Sequence, residues 1–356
     1  MASWDNEPKG SMTAAVLTSP GAEPPSKCFN LDHDYPKPSL PGPNWVLVRV
    51  KAAGLNRAEL RSRKGDRPGI SEFGIFRSEY HEDPPKILGE EFVGVVEVAG
   101  RSTTFEQGDH VAGWVYGGGK AHDGAYAQYT ICHSLRCFKI PPTTIDWVIL
   151  GGIFMSMWIA WGSLFSAAQI MPGSTVLVHG ATSSVGLWAV LLARDHGCTV
   201  FATTRKQEKI EKLTQAGADH VVLEENLDEE LKRIAPKGVD CILELLGPDA
   251  LPASLQKLRM HGIVVVTGIL RGWGANTFLP TSIPATRKVS FYSTTSDDEA
   301  LETIPSAMNH VIKRVEKNLY PSNIFLDKVF ALEDIGKAHE YMEDNKAVGK
   351  VVVKMS

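Results

Sequence analysis

The chain has 356 residues, 43% hydrophobic and 22% charged, values ordinary for a folded globular protein that exclude a disordered, collagenous or disulfide-built chain. At roughly 150 residues per domain, this length predicts about two domains. Lys and Arg number 37 against 41 Asp and Glu, a net charge of −4; with no basic block to meet a phosphate backbone, no nucleic-acid partner is expected.

The N-terminal MASWDNEPKGS carries charges where a secretory leader needs an apolar core, so a cytoplasmic location is expected. Five scattered cysteines (Cys28, Cys132, Cys137, Cys198, Cys241), with no CxxC pair, predict reduced thiols that serve as small core residues. Short β-like runs follow: TAAVL at Thr13, WVLVRVKAAGL at Trp45, FVGVVEVAG at Phe92 and DHVAGWV at Asp109. With Gly-rich corners between them, they predict a twisted β-rich domain over the first 140 residues. Trp147 to Met171 then carries no charge over 25 positions, long enough for a membrane helix. Its Gly151, Gly152, Ser156, Ser163, Ser166 and Gln169, the Pro172-Gly173 stop and the missing basic flank favour a helix buried between two domains. No membrane partner is expected.

From Thr175 the pattern becomes strand–helix alternation. TVLVHG, TVFAT, HVVL, DCILEL, GIVVVTG and VSFYS are apolar runs of strand length, separated by helical segments such as LWAVLLAR and LDEELKRI. Six strands in this arrangement predict a doubly wound parallel sheet. Beyond Thr295 the order is a long helix, a strand at Lys328, a helix at Gly336 and a strand at Gly349, and the last two strands are expected to return to the first domain.

The most informative segment is VLVHGATSSVG, Val176 to Gly186, a buried strand running into a small-residue turn (Ala181, Thr182, Ser183, Ser184, Val185, Gly186) and then a helix. Free N–H groups and the positive end of a helix dipole suit a dinucleotide pyrophosphate there. The spacing departs from GxGxxG, and an ordinary strand-to-helix turn is the competing reading. After the second strand come Thr203, Thr204, Arg205 and Lys206, with Lys209 one turn on; Arg205 stands 19 residues after Gly186. A cation and hydroxyls where an NAD-preferring chain would carry a carboxylate predict a 2′-phosphate, hence NADP(H). A solvated helix start is the plainer alternative.

With AAGLNRAELRSRKG at Ala52, ILGEEFVGVVEVAG at Ile87, GDHVAG at Gly108, GAYAQY at Gly124, the turn above and AHEYMEDNKAVGKVVV at Ala338, the chain resembles the medium-chain dehydrogenase/reductase superfamily. Within it, the likeness is to the zinc-independent quinone oxidoreductase and enoyl reductase branch. The resemblance implies an α/β fold with a discontinuous GroES-like catalytic domain, residues 1–145 and 310–356. Residues 146–309 would form a Rossmann NADP(H)-binding domain, and the protein would be a homodimer. It further implies cofactor contacts at Gly247, at Gly268, Ile269 and Leu270, and at Lys350.

Alcohol dehydrogenases of this superfamily place a Cys where this chain has Asn56 and a His where it has Glu90. Neither a third ligand between Trp147 and Trp161 nor the four-cysteine structural lobe is present, so no metal is expected. Without a Lewis acid, the expected reaction is NADPH-dependent hydride transfer to a quinone or an α,β-unsaturated carbonyl. Asn56 is the expected donor to the developing oxyanion, and Arg61 either stabilises that oxygen or pairs with Glu59. Rival readings are a stand-alone enoyl reductase of a biosynthetic pathway, suggested by the lengthened 66–86 segment with Phe73, Phe76, Tyr80 and His81, and a non-catalytic binding protein of the same fold.

Overall fold

The computed structural model describes residues 10–65, 87–119, 122–272, 280–294 and 298–356, so the lengthened 66–86 segment lies outside the described residues. Its contacts divide the chain into two units: Met1–Met155 with Met308–Ile312 and Lys328–Ser356, and Ser156–Ala307 with Lys313–Asp327.

The first unit begins with β1 (Ser11–Leu17) and β2 (Phe29–Pro36), an antiparallel pair. Then come β3 (Trp45–Gly54), β4 (Glu91–Ala99), β5 (His110–Trp114), β6 (Tyr129–His133) and β7 (Cys137–Lys139). β3 reads as an almost unbroken apolar run because it is central, pairing antiparallel with β4, β6 and the last strand of the chain. β2 is a weak signal in the sequence, since its alternating Phe29, Leu31 and Tyr35 are interrupted at His33 and none of its residues is fully buried.

The second unit contains β8 (Thr175–His179), β9 (Thr199–Thr204), β10 (His220–Leu223), β11 (Val239–Glu244), β12 (Leu258–Val266) and β13 (Lys288–Phe291). They lie parallel in the order β10-β9-β8-β11-β12-β13, the dinucleotide-binding order expected from the alternation. The helix Ser184–Asp195 buries every residue from Gly186 to Ala193. Its Trp188 stacks on Phe325 at 4.6 Å and meets Tyr320 edge-on at 5.9 Å.

After the helix Asp298–Glu316, β14 (Leu326–Ala331) and β15 (Lys350–Lys354) complete the seven-stranded sheet of the first unit beside β3. The first division falls between Met155 and Ser156 rather than after residue 145, because the helix Trp147–Gly151 packs on β3, β4 and β15. Lys313–Asp327 belongs with the second unit rather than the first, since Tyr320 and Phe325 cover Trp188 and Arg314 Nε donates to Asp195 Oδ2 at 2.7 Å. The apolar stretch Trp147–Ala167 is long enough to cross a membrane, and 72% of its most apolar window is buried inside the protein. All five cysteines are free and buried.

Trp188 has no solvent exposure, so Trp188→Ala leaves a cavity beside Tyr320 and Phe325. We expect it to lower unfolding stability by about 3–5 kcal/mol, read as a fall in the denaturant midpoint; an unchanged midpoint would show that this contact does not secure the segment.

Candidate functional site

The carboxyl ends of β8, β9, β11 and β12 assemble the first candidate region, where ligands bind in doubly wound folds. At the end of β8 the chain turns through Gly180, whose φ of 92° suits glycine. Ser183 caps the following helix: its Oγ accepts from Gly186 N–H at 3.1 Å and donates to the Gly180 carbonyl at 2.9 Å. The first-turn amides of Ser184 and Val185 precede the first intrahelical donor, as at any helix start. A Cβ on Gly186 would collide with the Ala181 backbone, so only glycine lets helix and strand pack this closely. The small residues Ala181 to Gly186 thus leave a helix N-terminus open to an anion, and these donors fit a dinucleotide pyrophosphate.

Thr203 and Thr204 act on the backbone. Thr203 Oγ1 accepts from Gly180 N–H at 3.0 Å, and Thr204 Oγ1 accepts from Lys206 N–H at 3.2 Å, which shapes the bend that presents Arg205. Arg205 is exposed and makes no ion pair among the described residues, while Lys209 is half-buried. Burial, then the charge of Lys206, holds the Lys209 ammonium below its ordinary range. Beyond β12, Gly268 to Leu270 folds against the end of β11, with Leu270 N–H on the Leu245 carbonyl at 3.0 Å and Arg271 N–H on the Leu246 carbonyl at 2.8 Å. Gly247 stands beside this loop with a φ of 125°. The structure therefore brings the turn, Arg205, Gly247 and Gly268–Leu270 to one edge of one sheet.

The second region lies in the first unit. Asn56 precedes the helix Arg57–Arg63. Its Nδ2 donates to Glu91 Oε1 at 3.0 Å and its Oδ1 accepts from Lys350 Nζ at 2.7 Å. Lys350 Nζ also donates to Glu91 Oε1, and the two side chains are only 1% and 2% exposed. Glu91 Oε2 takes the Met155 N–H at 3.1 Å. The Lys350 ammonium is thus committed to a buried carboxylate and to Asn56. A Cβ on Gly54 would strike Lys350 Cε and Glu91 Oε1, so glycine is needed for this approach.

Glu59 is equally buried and accepts from Asn56 N–H at 2.5 Å, Glu90 N–H at 2.7 Å and Tyr126 Oη at 2.8 Å. Arg61 lies half-buried on the same helix. Sequence reading considered Glu59 only as a partner for Arg61 and did not bring Glu91, Glu59 and Tyr126 together with Asn56 and Lys350 in one cluster. The available signal was a carboxylate opening the apolar run EFVGVV and a lysine opening KVVV, charges that burial obliges to pair.

Burial, reinforced by Glu90, pushes the Glu59 carboxyl up to about 7 from an ordinary 4.5. The folded chain then keeps a proton that the unfolded chain has lost, so this group's contribution to stability falls as pH rises through that window. Glu59→Gln should remove that slope, and the stability difference, wild type minus variant, should decline between about pH 4.5 and 7. A difference that grows with pH over this range would contradict the assignment.

Residues 42–142 match the family "Alcohol dehydrogenase GroES-like domain" and residues 184–313 match "Zinc-binding dehydrogenase". Among the described residues, no three His, Cys, Asp or Glu side chains are grouped to hold a metal. A probable quinone oxidoreductase of Leishmania amazonensis is 26% identical, over 87% of this chain and 88% of its own length. A 2-haloacrylate reductase of a Burkholderia species is 27% identical, over 89% and 92%. A mycobacterial protein solved with NADPH superposes with a TM-score of 0.79 at 24% identity, over 97% of this chain and all of its own. Two domain families in this order, on an antiparallel sheet and a six-stranded dinucleotide-type sheet, make this chain an oxidoreductase of the medium-chain dehydrogenase/reductase superfamily.

Proposed function

We propose that the protein is an NADPH-dependent reductase that works without a metal and delivers hydride to a quinone or an α,β-unsaturated carbonyl. The observation that carries this reading is the Lys350 ammonium, 2.7 Å from Asn56 Oδ1 and paired with Glu91. Asn56 stands where zinc-dependent relatives place a thiolate, and a fixed cation beside it opposes a divalent ion by like-charge repulsion. With no Lewis acid to form an alkoxide, an acceptor that is already electrophilic is the chemistry left. The names of the quinone oxidoreductase and 2-haloacrylate reductase relatives agree with that class of acceptor.

The cofactor supplies the hydride when bound. The chain's own residues hold it at the sheet edge: the amides of Ser184 and Val185 at the helix start take the pyrophosphate, and Arg205 takes a 2′-phosphate, with Lys209 adding charge nearby. The loops at Gly247 and at Gly268, Ile269 and Leu270 shape the remaining wall. In the first unit Asn56 acts as a positioning residue, since its amide already serves Glu91 and Lys350. Arg61, half-buried on the helix that follows Asn56, would act through its guanidinium on a developing oxyanion. The same reading takes the protein as a cytoplasmic homodimer with a small-molecule substrate and neither nucleic acid nor membrane as partner.

Purified protein assayed against quinones and conjugated enones should consume NADPH and yield hydroquinones or saturated carbonyls; NAD-linked oxidation of simple alcohols, with no enone or quinone reduction, would overturn the reading. Arg205→Ala should weaken NADPH by about 1–3 kcal/mol through loss of a charge-assisted hydrogen bond, with NADH little changed. Equal loss for both cofactors would remove Arg205 from the phosphate.

A further inference from the structure

Beside Arg205 lies an open cavity of about 340 Å3 lined by Arg205, Leu223, Glu224, Glu225 and Arg271. Its two guanidiniums differ. Arg205 makes no ion pair among the described residues, whereas Arg271 Nη2 donates to Glu224 Oε1. Glu224 follows β10 and Arg271 follows β12, so this pair reaches over the carboxyl edge of the strands between them.

Beneath Glu224 is a buried and ordered group. Glu244, with no exposure, accepts from Ser254 Oγ at 2.6 Å, Leu246 N–H at 2.8 Å and His179 Nδ1 at 2.8 Å. That contact fixes the imidazole so that Nε2 faces Glu224 Oε1 at 3.9 Å, too long for a hydrogen bond. His179 is more than nine-tenths buried, and its Nε2 has no partner. Glu224 therefore sits between an arginine that it neutralises and a buried ring nitrogen that it does not quite reach.

We propose that Arg271 is a second phosphate-binding cation of the dinucleotide site, held in reserve by Glu224, and that it selects the 2′-phosphorylated cofactor; this rests on the NADP(H) reading above. A dianionic phosphate entering the cavity meets Glu224 and Glu225 as well as Arg205, and it gains only if a carboxylate gives up its cation. The Arg271–Glu224 pair is half-exposed on the arginine side, so exchanging one anion for another there costs little desolvation. A phosphate offers more charge and more acceptor oxygens than the carboxylate it displaces.

The test is calorimetric binding of NADPH, NADH and adenosine 2′,5′-bisphosphate to wild type, Arg271→Ala, Arg271→Lys, Glu224→Gln and Arg205→Ala. Arg271→Ala should weaken NADPH and the bisphosphate about tenfold or more while leaving NADH within about twofold, and Arg271→Lys should recover part of the loss. Glu224→Gln, which frees the guanidinium, should tighten NADPH and leave NADH unchanged. Equal weakening of NADPH and NADH by Arg271→Ala, or NADPH binding unaltered or weakened by Glu224→Gln, would overturn the proposal. If Arg205→Ala remains selective in that case, only the role of Arg271 fails. A wild type that binds NADH as tightly as NADPH would refute the NADP(H) reading itself.

Discussion

A buried ammonium sets the constraint around which the first unit is organised. Lys350 and Glu91 are almost wholly out of water, and removing an ion from water carries a penalty of about several kcal/mol that only close pairing and further hydrogen bonds offset. Each remaining polar atom of the pair is accordingly assigned: Asn56 to both partners, and the Met155 amide to Glu91. Because Lys350 opens the last strand and Glu91 opens β4, the pair ties the end of the chain to its first hundred residues. Gly54 is glycine because the pair needs the space. In the proposed metal-free reading, the same fixed cation opposes a second cation beside Asn56 by like-charge repulsion.

Charges at the edge of the parallel sheet follow the opposite logic. Arg271 and Glu224 are 44% and 23% exposed, so water screens their attraction and the pair is worth little by itself. Exchangeability is useful where an anionic ligand must enter, just as immobility is useful where a positive charge must stay. One protein thus uses ion pairs in two ways, and burial separates them.

Much of the architecture was legible because apolar periodicity survives in the sequence. The six parallel strands and the turn from Gly180 to Gly186 could be read directly, as could the central β3. The rest depended on long-range pairing. β2 is stabilised by β1, and its alternation of Phe29, Leu31 and Tyr35 is interrupted at His33 and only half-buried. Lys350 meets Glu91 across 259 positions and Arg271 meets Glu224 across 47, separations over which no local pattern exists. Ser183 in the turn and Thr203 at the end of β9 were both read as cofactor contacts, but their hydroxyls are spent on capping and on Gly180. Whether a hydroxyl faces a ligand or its own backbone is decided by a few tenths of an ångström that residue type does not encode.

The proposed metal-free delivery of hydride to a conjugated carbon can be followed with NADPH deuterated at C4 of the nicotinamide, in the presence of a strong chelator. Deuterium should appear at the β-carbon of the reduced enone, at a rate the chelator leaves unchanged. Loss of transfer on chelation, restored by stoichiometric zinc, would contradict metal-free delivery.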